Sequence, residues 1–366
     1  MYILIDTNIF FNHWFLKSPQ FLLLANFLNN TKSILLIPSV ICEEVDHKYK
    51  SEVSEFLVQA STTQRKYEEY GIPIEINTDT TVIEDFDFQK ILSSKFDFVE
   101  IIQYNGISHE TLVHKALNGK RPFRDKEKGY RDALIWLSAI LYLKQRNDSH
   151  KVVFITNNTK DFFENKNEEI FLHRDLLDDL IQYDVKNDFL LYTSLKRFID
   201  ANIEPVIHNF NHEEFIEKYG DLLEASASDY AIDYLNNLPI QSCRELLEKA
   251  NYPLICTKQI ERMYFDDFQG VEDPEVLNFK KASDNTIYIE YTFNLLSVEI
   301  HSTLQSNDYF SNKIAFDKIF MNIETNGNET YIFDYPRIYY EATIIFNTKN
   351  EEIEAFSIDS VRIRRY

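Results

Sequence analysis

The sequence predicts an α/β chain in two parts. The first is a three-layer α/β/α domain with a mainly parallel sheet over residues 1–203, and the second an α+β domain with an antiparallel sheet over residues 206–366. Three observations predict this. Short apolar runs at 2–5, 34–37 and 151–155 alternate with helix-like stretches, as strands covered on both faces do in a parallel sheet. The stretch GYRDALIWLSAILYL, Gly129 to Leu143, is apolar on so many faces that only a narrow stripe can meet solvent, as in a helix lying on such a sheet. After Pro205 the character changes. From Ile287 onward, runs rich in Ile, Tyr, Phe and Thr are punctuated by hairpin-like turns at Asn326–Asn328 and Asn347–Asn350.

Taken in order, Tyr2–Ile5 reads as the first strand, ending in Asp6, and Phe10–Leu28 as a helix. Ile34–Ile37 is the second strand, closed by Pro38, with Ser39 as the expected N-cap of a helix opening VICEEV. Lys48–Tyr70 continues as a charged amphipathic helix, and residues 71–108 as an extended IPIEI piece followed by short acidic and aromatic helices. His109–Leu117 is a helix, followed by the basic loop NGKRPFRDKEK and then the helix that carries Asp132. Lys151–Ile155 is the third strand and Glu169–Leu172 the fourth, followed by a helix through Ile181. Phe189–Tyr192 is the fifth, with a closing helix from Leu195 to about Ala201. Glu213–Ala250 reads as two or three helices with turn signals at Gly220 and Pro239. In TIYIEYTF, alternation places Ile287, Ile289 and Tyr291 toward a core and Tyr288, Glu290 and Thr292 on a free face.

Composition removes several function classes. Seven glycines, none in a phosphate-cradling pattern, leave no P-loop and no dinucleotide fingerprint. A net charge of −21 argues against a surface that coats nucleic acid, yet leaves room for a nuclease whose acidic metal centre adds to that total. Cys42, Cys243 and Cys256 form no CxxC pair, which points to a reducing cytoplasm with thiols buried as small hydrophobes. Neither a secretory signal nor a transmembrane span is expected, because the first apolar runs are broken by Asp6, Asn12 and His13.

The acidic residues fall where a parallel sheet gathers ligands, at the carboxyl ends of its strands. Asp6 ends the first strand, Glu43 and Glu44 follow the second, and Asn157, Asn158 and Asp161 follow the third. Asp132 sits on the first turn of the helix leading into that third strand. Converging carboxylates repel one another unless cations lie between them, and hard divalent ions, Mg²⁺ or Mn²⁺, suit such oxygens. None of the nine histidines has zinc-ligand spacing. Thr7, Asn8 and Thr156 can orient a ligand or water, or simply satisfy strand ends and turns. From Lys115 to Arg131 seven basic residues face two acids, and Arg121, Arg124, Lys128 and Arg131 are candidates for substrate phosphates; a solvated loop is the plainer reading.

LIDTNIF at 4–10, IPSVICEEV at 37–45, KGYRDALIW at 128–136 and VVFITNNTKDF at 152–162 resemble the four motifs of the PIN domain family, in order, over roughly residues 1–200. The resemblance implies a metal-dependent nuclease, RNA favoured over DNA, with one or two Mg²⁺ or Mn²⁺ ions held by Asp6, Glu44, Asp132 and an acid of the last motif. That family includes toxins of toxin–antitoxin modules, so a toxin or phage-defence setting is implied. Glu44 rather than Glu43 takes the family position, since it precedes the apolar Val45. The last motif departs from the pattern: Asn158 stands two residues after Thr156, where an acid is common. Asp161 is expected as the fourth ligand, its other reading being an N-cap for a helix starting at Phe162. Coordination by the Asn158 amide oxygen and a weak second metal site stay open. The alternative function is a non-catalytic binding or regulatory module with a degenerate metal centre. Residues 206–366 are expected to meet a protein partner, a second copy or the substrate. Tyr288, Tyr291, Phe293, Tyr331, Phe333, Tyr335, Tyr339 and Tyr340 supply contact groups there, while Asp266, Asp267, Glu272, Asp273 and Glu275 disfavour nucleic acid. No membrane partner is expected.

Overall fold

The computed structural model describes residues 1–74, 81–124, 128–166, 169–203, 212–267, 269–283, 285–320 and 322–365. The chain splits into two compact units, Met1–Ile203 and Glu204–Tyr366. The strands of the first are β1 (Tyr2–Ile5), β2 (Ile34–Pro38), β3 (Val99–Ile102), β4 (Val152–Ile155), β5 (Phe163–Lys166), β6 (Glu169–Leu172) and β7 (Phe189–Tyr192). Its helices are α1 (Pro19–Thr31), α2 (Ser39–Glu69), α3 (Thr81–Glu84), α4 (Phe88–Lys95), α5 (His109–Leu117), α6 (Tyr130–Arg146), α7 (Thr159–Phe162), α8 (Arg174–Tyr183) and α9 (Leu195–Asn202).

Five strands form one parallel sheet in the order β3-β2-β1-β4-β7. All four residues of β1 and all four of β4 are buried, so the centre of the sheet is covered on both faces, as their apolar runs predict. Leu143 of α6 packs with Tyr2, Leu36, Ile102 and Val152, while α1 and α9 meet through an edge-on contact of Phe27 with Phe198. The chain runs outward from β1 in one direction through β2 and β3, and in the other through β4 and β7. The carboxyl ends of β1 and β4 therefore flank a topological switch point, the place where an open α/β sheet leaves a crevice.

Several expectations for this unit are corrected. The first helix begins at Pro19, not Phe10, because Thr7–Ile9 forms a 3-10 turn and Asn12 and Leu16 take positive φ, which breaks any helix between them. Ser39 is the first helical residue and makes no cap bond; Pro38 occupies the cap position. Glu169–Leu172 is a strand, but it pairs antiparallel with β5 in a separate hairpin rather than joining the sheet. Val99–Ile102, unassigned in the sequence, supplies the edge strand beside β2. The IPIEI segment lies partly outside the described residues. Asp161 sits inside α7 and caps nothing at Phe162.

The second unit opens with α10 (His212–Asn236), α11 (Ile240–Lys249) and α12 (Leu254–Thr257). It continues through β8 (Arg262–Asp267), β9 (Val271–Lys281), β10 (Thr286–Leu295), β11 (Val298–Gln305), α13 (Ser306–Ser311), α14 (Lys313–Asp317), β12 (Asn322–Asn326), β13 (Glu329–Asp334), β14 (Arg337–Asn347) and β15 (Glu352–Arg364). Two four-stranded antiparallel sheets result, β15-β14-β10-β9 and β12-β13-β11-β8. Both hairpin turns fall where the asparagines stand, between β12 and β13 and between β14 and β15. Gly220 ends nothing; α10 runs through it. The supposedly free face of β10 is covered as well: Tyr288 is fully buried, and none of the eight aromatic residues named above is exposed.

Candidate metal centre

Asp6 follows β1 directly and is 2% exposed. Its carboxylate is fixed from three sides. The Thr7 backbone N–H donates to Oδ1 at 2.8 Å, while Thr156 Oγ1 and Asn8 Nδ2 donate to Oδ2 at 2.6 and 2.7 Å. Thr156, the residue after β4, also accepts the Asn158 backbone N–H at 2.9 Å, so the ends of the two central strands are tied to each other through this hydroxyl. Burial above all, with the nearby charges of Asp132 and Glu44, pushes the Asp6 carboxyl up to about 7 despite the hydrogen bonds from Thr156 and Thr7 that pull it down.

Asp132 lies on the first turn of α6, where the helix N-terminus favours an anion. Burial and the Glu44 charge hold its carboxyl above the ordinary range, while Asn158, Arg131 and Arg124 act the other way. The start of α6 depends on Gly129. Its φ of 103° is open to glycine alone in practice, and a Cβ there would run into the Pro122 carbonyl. Glu44 projects from the second turn of α2 and pairs with Arg131 Nη1.

One cleft of about 480 Å³ is lined by Asp6, Thr7, Asn8, Phe11, Glu44, Lys128, Gly129, Tyr130, Arg131, Asp132 and Asn158. Three acids called from widely separated segments thus share a single cleft. Asp161 does not line it; Arg124 and, at 3.7 Å, Arg121 bind its carboxylate instead. Asn158 does line it, donating to Asp132 Oδ1 at 3.4 Å and accepting from Arg124 Nη2 at 3.3 Å. Arg121 and Arg124 are therefore turned onto Asp161 and Asn158, Arg131 onto Glu44, and Lys120 onto Asp175 at 2.8 Å. Lys128 lines the cleft with no ion pair among the described residues. Phe11 and the half-exposed Tyr130 were not singled out in the sequence; only the adjacent motifs could have marked them.

The donor set fits a hard divalent cation in its chemistry: three carboxylates in one cleft, with Asp132 and Glu44 raising the proton affinity of Asp6, an amide oxygen, and the buried Thr7 hydroxyl, which has no hydrogen-bond partner among the described residues. The set is not closed, however. Among the described residues no group of three His, Cys, Asp or Glu side chains is drawn together tightly enough to hold a metal, and Glu44 is engaged by Arg131.

No curated protein and no solved structure matches this chain. A protein-family model does. It is the PIN domain, matched over residues 3–162, from the first strand to the end of the segment that follows the fourth. PIN domains are generally nucleases that use divalent metals, and the N-terminal part of this chain is a PIN domain.

Proposed function

We propose that this protein is a Mg²⁺- or Mn²⁺-dependent nuclease that hydrolyses phosphodiester bonds, with RNA as the favoured substrate. The observation that carries the reading is the sharing of one cleft by Asp6, Glu44 and Asp132, at the switch point of a PIN domain sheet. Asp6, Glu44 and Asp132 would hold the cation, with the Asn158 amide oxygen as the neutral fourth donor. Asp161, bound by two arginines, then acts one step back by holding Arg124 against Asn158. When bound, the ion supplies a Lewis acid for the phosphodiester and a water of lowered pKa.

The protein's own groups do the rest. Thr156, Thr7 and Asn8 fix the Asp6 carboxylate so that it need not reorganise, and Lys128 and Arg131 at the cleft hold backbone phosphates. We further propose two domains, 1–203 for chemistry and 206–366 for contact with a protein partner, a second copy or the substrate. A cytoplasmic setting is supported by three free, buried cysteines. Among the described residues no helix is long and apolar enough to cross a membrane. A toxin or phage-defence role is the setting such nucleases suggest.

The test is incubation of the purified full-length protein with single-stranded RNA in Mn²⁺ or Mg²⁺ and in chelator. Cleavage that needs the metal and disappears in Asp132→Asn supports the reading. RNA binding without metal-dependent cleavage would assign the chain to the alternative, a non-catalytic PIN-domain binding module. Truncation after residue 203 that leaves cleavage intact but changes oligomeric state or partner binding supports the division of labour. Loss of RNA affinity alone would make the C-terminal part a substrate-recognition module.

A further inference from the structure

We propose that Arg131 is a latch on Glu44 that holds down metal affinity until a phosphate draws it away. This rests on the metal-centre reading above and goes beyond it. Arg131 and Glu44 come from different helices, α6 and α2, and meet side chain to side chain at the cleft. The two partners are unequally placed: the Arg131 side chain is 65% exposed and that of Glu44 only 15%. The guanidinium therefore sits at the mouth and reaches inward to a carboxylate that is otherwise enclosed.

Its charge does there what a cation would do. Arg131 lines the same cleft as Asp6, Glu44 and Asp132, with its guanidinium on the carboxylate of Glu44. A divalent ion held by Asp6, Glu44 and Asp132 would draw on the Glu44 carboxylate that Arg131 now neutralises, so arginine and metal would compete for one group. A phosphodiester offers a guanidinium the same pair of acceptor oxygens that a carboxylate does. A substrate phosphate arriving at the mouth can thus take Arg131 in exchange for Glu44 and leave the carboxylate to the ion. Metal and substrate then bind with positive coupling, which by linkage is reciprocal. Lys128 shares the cleft but pairs with no carboxylate among the described residues, so it is the internal control for a nearby positive charge without a latch.

The measurement is Mn²⁺ affinity by calorimetry, without nucleic acid, on the full-length protein. Arg131→Gln, an exposed change, should bind Mn²⁺ about 10-fold more tightly than the wild type, within the usual range of coupling between two sites. Lys128→Gln should gain no more than about 3-fold, the effect of removing a screened charge. In a Glu44→Gln background, adding Arg131→Gln should give only the Lys128-sized gain, because the contact to be released is gone. A gain for Arg131→Gln no larger than that for Lys128→Gln overturns the latch, as does a full gain that persists without Glu44. If neither the wild type nor Arg131→Gln binds Mn²⁺, the metal-centre reading itself fails and the latch with it.

Discussion

Helix α6 carries two acidic sites one turn apart, and they are built on opposite principles. At Trp136 the helix meets Asp179, 5% exposed, whose carboxylate takes both oxygens' bonds from Lys115 Nζ at 2.7 and 2.8 Å and one from Trp136 Nε1 at 2.9 Å. Every member is buried, and together they tie α5, α6 and α8 into one block. At Asp132 the helix instead shares a cleft with other acids, Asp6 and Glu44, and the ion pair there is made by an exposed arginine on Glu44. Burial raises the Asp179 carboxyl too, where the charge and hydrogen bonds of Lys115 oppose it and Asp175 adds to it; at Asp6 the opposition comes from the hydrogen bonds of Thr156 and Thr7, and Asp132 and Glu44 add to burial. At Asp179 a buried acid is answered by a buried cation, Lys115. In the cleft the acids face one another over an opening and leave room for a cation to bind.

The sharpest way to break this comparison is to neutralise one acid at each site. Asp132→Asn should reduce cleavage by about 10³-fold or more, equivalent to roughly 4 kcal/mol of barrier, while leaving the thermal midpoint in chelator unchanged or higher. Near-normal turnover by the variant would remove Asp132 from the chemistry. At the other site, Lys115→Met leaves Asp179 buried without its ion partner and should cost about 3–5 kcal/mol in denaturant unfolding. Mn²⁺ affinity of the folded fraction should barely change. A loss of metal binding without loss of stability would mean that the two sites are not separate in role.

The pH dependence sharpens the contrast. Asp6 binds its proton more tightly folded, at about 7, than its ordinary value of 3.8, so its protonated form stabilises the metal-free protein at low pH. That contribution is fully present below about pH 4 and is lost as pH rises toward and through 7. In chelator, the stability of the wild type relative to Asp6→Asn should therefore fall between pH 5 and 8, by about 1.4 kcal/mol for each pH unit where the slope is full. Saturating Mn²⁺ should abolish the fall, and a difference that grows with pH in chelator contradicts the assignment.

Smaller effects are expected at the cleft's rim. Gly129→Ala forces a positive φ on a residue with a Cβ and pushes that atom into Pro122, so it should cost about 1–3 kcal/mol and lower cleavage through a displaced start of α6. Lys128→Gln should only flatten the salt dependence of RNA binding, by roughly one phosphate contact. An unchanged slope returns Lys128 to a solvated role.

What could be read from the sequence follows the same division. Asp6 and Asp132 were legible because each sits at a strand end or helix start, whereas local pattern left Glu43 beside Glu44 and only the family resemblance chose between them. The parallel character of the sheet was legible because β1, β2 and β4 are wholly or nearly wholly apolar. Strand β3, VEII, was not, since one edge of it is half-exposed and its acidic residue breaks the pattern. The hairpin of β5 and β6 was misplaced because four-residue strands carry too little pattern to choose a partner. The pairing of Arg131 with Glu44, 87 residues apart, has no local signature at all. The same is true of Arg124 with Asp161, which the basic loop's composition presented as free charge for phosphates. In the second unit the alternation of β10 was real, but the sequence could not show that its other face is covered too.

The central claim, that opposed acids in the cleft wait for a cation, is tested most directly by a crystal structure of the protein soaked in Mn²⁺, with the ions located by anomalous scattering. The account predicts an ion bound by Asp6, Glu44 and Asp132, with Asn158 beside it, Arg131 withdrawn from Glu44, and Asp161 still held by Arg121 and Arg124. A cleft without manganese, its Glu44 still paired with Arg131 at saturating metal, would contradict it.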